Sequence, residues 1–201
     1  VFTVGSAAFD EAGIIGNTTF TATVAANALT FALKTKAGTD ATATDACTIA
    51  FRNATLTTGT YLARTVTAAL SVVISSGSTL GTVAGQAARL YLCAIDNAGT
   101  VELAVWNPLS GTSIIPIDEA NVVSTTAEGG AGAADSAQIL YSTTARASVP
   151  VRVLGLVDNA TDQVYVGDAA RQLIGLTNVT QRVRPMPQAS RSFPALRATT
   201  R

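Results

Sequence analysis

The sequence predicts an all-β fold, an antiparallel β-sandwich or jelly-roll-like domain with an extended N-terminal arm and a basic C-terminal tail. About ten short runs are rich in Val, Ile, Thr and Tyr, and turn residues separate them at intervals of roughly 8–12 residues, a spacing typical of sandwiches and barrels. No long segment has the 3.6-residue periodicity of an amphipathic helix. The chain is therefore divided into an arm over residues 1–24, a β-domain over residues 25–180 and a tail over residues 181–201.

The centre of this fold is predicted to be a hairpin over residues 88–107. Two apolar arms flank the turn Asp96-Asn97-Ala98-Gly99, whose residue types accept left-handed backbone angles. Residues 90–95 are apolar on both faces, as expected of a strand buried between two layers. The second arm ends at Trp106, the single tryptophan of the chain.

Ahead of the hairpin, the pattern predicts an arm and three strands. Residues 1–24 are mixed in character and are predicted to pack on a neighbouring molecule as an extended arm. Strands are predicted over residues 25–34, 47–56 and 60–75, the last as one long element. Its Thr and Val content favours a strand over a helix in its second half.

Beyond the hairpin, shorter strands and loops are predicted. Pro116 and Pro150 indicate edge strands or strand starts, because proline cannot donate to a ladder. The Gly/Ala-rich segment 128–134 has no apolar period and is predicted to be a flexible loop. A turn is predicted over residues 158–162 and a short helical turn over 169–176. The remaining strands are predicted over residues 113–117, 122–126, 137–141, 149–157 and 164–166.

The C-terminal tail differs in kind from the rest of the chain. It holds five of the 13 basic residues and none of the 13 acidic ones, so residues 1–180 carry a net charge of −5 and the tail carries +5. Such a segment cannot build a core and is predicted to dock on an acidic partner surface. A protein partner is favoured over nucleic acid, because Phe193 is the lone aromatic among the arginines. The predicted docking residues are Arg182, Arg184, Arg191, Arg197 and Arg201.

Composition favours contact with other protein copies. Charged residues make up 13% of the chain and the net charge is zero, against a usual charged fraction of about 25%. A chain near zero net charge tends to associate. Histidine is absent, which removes the usual near-neutral acid/base group and the commonest metal ligand. Cys47 and Cys93 are interpreted as reduced core thiols, with a disulfide between them as the alternative.

Neither a catalytic site nor a cofactor or metal site is predicted. Glycoside hydrolysis needs two carboxylates flanking one bond, and the candidate pairs are Asp96 with Glu102 and Asp118 with Glu119. The first pair lies at a turn and on an outgoing strand, and the second pair would diverge on a strand. Residues 129–132 lack the Lys of a phosphate loop. Residues 158–162 offer alternating oxygen ligands without a closing glutamate, so a turn is favoured over a calcium site.

Distinctive strings rich in Thr, Ala and Gly occur between residues 27 and 155. They include Ala94-Ile-Asp-Asn-Ala-Gly-Thr-Val-Glu-Leu-Ala104 and Tyr141-Ser-Thr-Thr-Ala-Arg146, and the others occupy residues 27–40, 51–55, 64–71, 74–82, 124–135 and 149–155. Through these strings the chain resembles virion fibre or tail-fibre-like structural proteins of phages and prophages of proteobacteria. From Leu156 onward it departs from the usual ending of that family, since no Trp follows. The resemblance implies a trimeric fibre-type or other repeated virion component and carries no catalytic residue.

The sequence hypothesis is therefore a bacteriophage virion structural protein, a fibre or fibre-base module that forms homo-oligomers. Its expected location is the virion, assembled in the cytoplasm of the bacterial host. The expected partners are other copies of the chain and a portal, neck, tail or capsid protein, with neither nucleic-acid binding nor membrane insertion. A head-attached spike or decoration protein is a variant of this hypothesis. The alternative from another class is a receptor-binding domain that binds or depolymerises a host surface glycan.

Overall fold

The computed structural model describes residues 15–54, 60–83, 88–108 and 122–159, and within these ranges every regular element is a strand. The predicted all-β class is confirmed for this part of the chain. None of the described residues forms a helix that could cross a membrane. The twelve strands in these ranges are β1 (Ile15–Gly16), β2 (Thr19–Ala25), β3 (Ala28–Lys34), β4 (Cys47–Arg52), β5 (Tyr61–Val66), β6 (Leu70–Ile74), β7 (Ala88–Asn97), β8 (Thr100–Trp106), β9 (Val122–Val123), β10 (Thr126–Ala127), β11 (Leu140–Ser142) and β12 (Val149–Asn159).

The first small sheet has the order β2-β3-β6 and is antiparallel throughout. Strands β2 and β3 form a hairpin across Ala26 and Asn27, which have φ angles of 49° and 61°. Strand β2 therefore belongs to the sheet, although the sequence pattern assigned it to an arm ending at residue 24. The reason is that Phe20 points into the core and is buried there. Residues 1–14 lie outside the described ranges.

The second small sheet has the order β1-β4-β5 and is also antiparallel. Its strand β5 is separated from β6 by residues 67–69, so the single long strand predicted over residues 60–75 is wrong. The two halves pair with different neighbours, β5 with β4 and β6 with β3. The interruption allows the chain to leave one small sheet and enter the other.

The large sheet has six strands in the order β10-β11-β8-β7-β12-β9. Strands β7 and β8 are its two central members, and Asn97 pairs with Thr100 across the turn. The predicted core hairpin is therefore confirmed in place, with a turn of two residues, Ala98 and Gly99, rather than the four residues from Asp96 to Gly99. Only the β10–β11 pair is parallel in this sheet of the described region.

The large sheet curls so that its two edge strands approach each other. Edge strands β9 and β10 are separated by only Ser124 and Thr125, which limits the gap from Val123 to Thr126 to about 11 Å. In a flat sheet of six strands the outer two would lie about 24 Å apart. The inside of the curl holds a second apolar cluster, made of Cys93, Ile95, Ala104, Trp106, Val123, Leu140, Val149 and Val151.

The main core lies between the large sheet and the two small sheets. All three sheets contribute to one apolar cluster, with Phe31 from β3, Phe51 from β4 and Leu92 from β7 fully buried in it. Arg152 on β12 is also buried, and its Nε donates to the Ala50 backbone oxygen on β4 at 2.8 Å. This bond is a buried polar contact between the large sheet and the second small sheet.

Strand β12 has a bulge next to the point where the first small sheet approaches it closely. The register of β12 against β7 shifts between Val153 and Gly155. A Cβ built on Gly155 would lie 2.4 Å from Cε1 of Phe20, which is far inside ordinary contact distance. Glycine is therefore required here because the Phe20 ring occupies the space of a side chain.

Both cysteines are free and buried, in agreement with the sequence interpretation. They belong to different clusters, Cys47 to the main core and Cys93 to the inside of the curl. Burial raises the pKa of Cys93 to about 12. Its thiolate is therefore scarce near neutral pH, and the side chain acts as a small apolar group.

Other predicted elements are shifted or lie outside the description. Strand β12 extends to Asn159, which pairs with Ala88, so residues 158 and 159 belong to the strand and the turn predicted over residues 158–162 is wrong for these two residues. The strand predicted over residues 122–126 is divided into β9 and β10, and the one predicted over 137–141 is β11. Residues 113–117, 160–176 and the whole tail are outside the described ranges.

We expect Ala98→Asn to stabilise the chain by roughly 0.5–1 kcal/mol. Ala98 and Gly99 have φ angles of 49° and 103° in the two-residue turn of the central hairpin. Asn adopts the left-handed conformation more readily than Ala, and Asn-Gly is the preferred pair for such turns. Urea denaturation measures the change. The matched control is Ala63→Asn on an exposed strand position, and equal gains in both variants would refute the turn explanation.

Candidate functional site

The carboxylates of the central hairpin lie on opposite faces of the large sheet. Asp96 is directly opposite Val101, whereas Glu102 is opposite Ile95. Residues opposite each other share a face and successive residues alternate, so the two carboxylates point away from each other. They therefore cannot flank one glycosidic bond, which excludes the first of the two candidate pairs weighed from the sequence. The second candidate pair, Asp118 with Glu119, lies outside the described residues.

The carboxylate of Asp96 forms an ion pair in the main core, next to the turn of the central hairpin. It is 4% exposed, and its Oδ2 accepts from Nε and Nη2 of Arg64 at 3.0 and 2.8 Å. Its Oδ1 accepts from the Gly99 backbone N–H at 2.8 Å. The carboxylate thus fixes the hairpin turn and ties β7 to β5 of the second small sheet.

Glu102 forms an ion pair with Arg146 on the opposite face of the large sheet. Its oxygens accept from Nη2 and Nε of Arg146 at 2.6 and 2.8 Å, and Asn97 donates a further bond at 3.0 Å. The hydrogen bonds from Arg146 hold the pKa of Glu102 below its ordinary value, against a smaller opposing effect of burial. The pair links β8 to the segment between β11 and β12.

We expect the Glu102–Arg146 pair to make stability depend on pH in the acid range. Because the folded-state pKa is lowered, the stabilisation is present above the unfolded-state pKa and is lost as pH falls through the folded-state value. Stability measured by urea denaturation at about pH 7 and about pH 3 should therefore fall less in Glu102→Gln than in the parent chain. Arg146→Gln should reduce the pH dependence in the same way. An unchanged pH dependence in both variants would refute the assignment.

The Gly-rich segment after β10 is held by a buried carboxylate. Oε1 of Glu128 accepts from the Ser75 backbone N–H at 2.7 Å and from Ser78 Oγ at 3.4 Å. Oε2 accepts from Ser75 Oγ and the Gly130 backbone N–H, both at 3.0 Å. The flexible loop predicted over residues 128–134 is thus joined by hydrogen bonds to the residues that follow β6.

A neutral surface covers the outer side of the first small sheet. Phe20, Leu29 and Phe31 face the core, so the alternate positions of β2, β3 and β6 share the opposite face. Val73 on this face is 43% exposed. Its single charged residue, Lys34, pairs with Asp40 at 2.6 Å. We call this surface the threonine face: Thr19, Thr21, Thr23, Ala25, Ala28, Thr30, Ala32, Lys34, Ser71 and Val73.

The described carboxylate side chains are all engaged by groups of the same chain. Each of the six carboxylates whose side chains are described accepts a hydrogen bond from within the chain. In the described part of the chain, no group of three or more Cys, Asp or Glu residues could hold a metal ion. The predicted docking arginines of the tail fall outside it. Comparisons with protein-family models, curated proteins and solved structures found no match.

Sequence reasoning missed the arginines that neutralise the hairpin. Arg64 and Arg146 are far in sequence from Asp96 and Glu102, so no local pattern indicates them. The placement of Asp96 and Glu102 on opposite faces of the sheet could have been predicted from the sequence. A two-residue turn at Ala98 and Gly99 sets the register, and strand alternation then places the two carboxylates on opposite faces.

Proposed function

We propose that the chain is a non-enzymatic structural protein of a bacteriophage virion, a fibre or fibre-base module that self-associates through its β-domain. The observation that supports this most is the threonine face, a sheet surface with one charged residue that is already paired. Neutral surfaces of this kind favour association between protein copies. The resemblance of residues 27–155 to virion fibre proteins agrees with it.

The polar groups of the described region support a structural role. Asp96, Glu102 and Glu128 each accept several hydrogen bonds and join separate strands or loops. A general acid or nucleophile must instead reach substrate. These carboxylates are the connections of a rigid scaffold, which suits a particle component exposed to mechanical and chemical stress.

The finer fold proposal is a β-sandwich of the jelly-roll type. One layer would be the curled six-stranded sheet, and the other would be the two small sheets that share the main core with it. Such a domain presents its outer strand faces to neighbouring molecules. The trimer implied by the sequence resemblance would use these faces.

The basic tail provides the second contact in this proposal. Its charge of +5 is opposite to the −5 of residues 1–180, so it would bind an acidic surface of a portal, neck, tail or capsid protein. The location would be the virion, with assembly in the host cytoplasm and a role in host attachment if the module lies in a fibre. A head spike would have the same two contacts at a different position.

Analytical ultracentrifugation tests self-association. The full chain and a variant lacking residues 181–201 should both sediment as oligomers at micromolar concentration, because the β-domain carries the contact and the tail binds other proteins. A clean monomer for both would contradict the proposal. Gold-labelled antibody on intact particles then tests the location, and the absence of label from particles would contradict a virion role.

A glycan array examines the receptor-binding alternative with the same preparation. We expect no glycan to bind and no polysaccharide to be cleaved by the isolated chain. Specific binding that survives deletion of the tail would favour the alternative and would assign host recognition to the β-domain.

A further inference from the structure

Strand β2 is an edge strand of its sheet in the described part of the chain. It spans seven residues, Thr19–Ala25, and bonds to β3 on one side in a continuous register from Thr19–Lys34 to Ala25–Ala28. None of the backbone hydrogen bonds of the described residues occupies its other side. Within the described ranges, the backbone groups that point outward along this strand therefore have no partner strand.

This edge lacks the features that normally prevent sheets from joining. The sequence Thr-Phe-Thr-Ala-Thr-Val-Ala contains no charged residue and no proline, and its register shows no bulge. Natural edge strands usually carry at least one of these features. Among the other described edges, β5 contains Arg64, while β1, β9 and β10 have two residues each. Strand β6 has five residues, and the residues directly after it are bonded to the Glu128 loop.

The strand is complementary to itself. In an antiparallel pair with a two-fold axis at Ala22, Thr21 lies opposite Thr23 of the second copy, and Phe20 lies opposite Val24. Every hydroxyl-bearing or alanine side chain of the threonine face then meets one on the same face, and every inward apolar side chain meets another. Cross-strand pairs of these types stabilise sheets, and no charges are brought into opposition.

We propose that β2 pairs with β2 of a second copy of this chain, which joins two three-stranded sheets into one six-stranded sheet. This inference rests on the proposed self-association and adds to it a contact along the β2 edge, distinct from the outer strand faces. The self-complementary register favours a second copy over an unrelated partner strand. The contact is isologous and closes at two copies, so it differs from a trimeric contact and can be recognised by stoichiometry.

The test uses two double variants of the full chain. Thr21→Lys with Thr23→Lys places like charges opposite each other twice per interface, and Thr21→Glu with Thr23→Glu does the same with the opposite sign. Each variant should dimerise at least about tenfold more weakly than the parent chain, because like charges directly opposite are destabilising. An equimolar mixture of the two should recover dimers, because lysine then faces glutamate across the interface.

The matched control is Ser71→Lys with Val73→Lys, which adds the same charge to the same face on β6. This variant should dimerise like the parent chain. Equal dimerisation of the parent and the β2 lysine variant, or failure of the mixture to recover dimers, would overturn the proposed pairing. If the parent chain associates and the β2 variants associate equally well, the β2–β2 pairing is refuted, whereas the proposed self-association is not. A monomeric parent chain would contradict the proposed function itself.

Hydrogen exchange on the unmodified chain gives an independent test that does not depend on the folding of variants. Outward-pointing amides of residues 19–25 should exchange more slowly as protein concentration rises through the dimerisation range. The amides of β3 should show no such dependence, because both sides of β3 are already paired. Exchange in β2 that is fast and independent of concentration, in a chain that dimerises, would overturn the proposal.

Discussion

Gly81→Ala is expected to lower the free energy of unfolding by about 3 kcal/mol. Gly81 has a φ angle of +68°, and a Cβ built on it would lie 2.2 Å from the backbone N of Ala137. The obstacle is backbone, which cannot rotate aside as a flexible side chain could. The variant must therefore shift two chain segments or lose the turn.

The position of Gly81 explains why such a shift is costly. The turn brings the Thr82 N–H to the Thr79 oxygen at 2.9 Å, and it buries Leu80, whose φ angle is itself 51°. The Leu80 N–H donates to Ala134 O at 2.8 Å, and Asn107 Nδ2 donates to Leu80 O at 2.7 Å. One glycine thus permits a turn that joins three separate segments.

Gly132→Ala is the matched control, because Gly132 has a φ angle of +69° with no atom within 4 Å of a built Cβ. It should cost only the conformational strain of about 1 kcal/mol. Urea denaturation followed by Trp106 fluorescence measures both variants, compared at equal m-values. Equal losses of stability in the two variants would refute the steric explanation.

Local signals were enough to place the central hairpin. The Asp-Asn-Ala-Gly turn and the two apolar arms lie within 20 consecutive residues, and their pairing needs no distant partner. Such contacts are decided by turn chemistry and alternation, which the sequence displays directly. The same reasoning placed β3, β4 and the start of β12 within a few residues of their observed positions.

The division between β5 and β6 could not be read from the sequence. The inward-facing positions are even-numbered in both strands. They include Leu62 and Val66 in β5, and Val72 and Ile74 in β6. Because the alternation keeps its phase across the break, it appears as one strand. Which sheet each half joins depends on its pairing with β4 or with β3, and the alternation within residues 60–75 does not indicate that pairing.

The threonine face was missed for a related reason. Strand β2 alternates Thr with Phe20, Ala22 and Val24, but its turn to β3 contains Ala26 in a left-handed conformation. Asn27, the second residue of this turn, accepts a left-handed conformation, but Ala26 before it does not favour one, so the pair was not recognised as a turn. The strand was therefore assigned to an arm, and the surface that it builds with β3 and β6 was invisible to pattern reasoning.

Glu128→Gln is expected to lower the free energy of unfolding by about 2–3 kcal/mol, because it removes charge-assisted hydrogen bonds and leaves a buried donor unpaired. One carboxylate oxygen accepts from the Ser75 backbone N–H and the other from the Gly130 backbone N–H. In either orientation, the NH2 group of glutamine would face one of these N–H groups. Two donors cannot bond, so the exchange is unfavourable even though the side chains have nearly the same shape.

The size of this effect distinguishes a structural connection from an ordinary surface carboxylate. Asp40→Asn is the control, since Asp40 is half-exposed and bonds only to Lys34 in the described region. It should change stability by less than about 0.5 kcal/mol. Amide exchange at Ser75 and Gly130 should accelerate in Glu128→Gln and stay unchanged in Asp40→Asn. A Glu128→Gln chain as stable as the control would contradict this role of the carboxylate. The loop over residues 128–134 would then be held by its backbone contacts, such as the hydrogen bond from Gly132 N–H to Ser76 O at 3.1 Å.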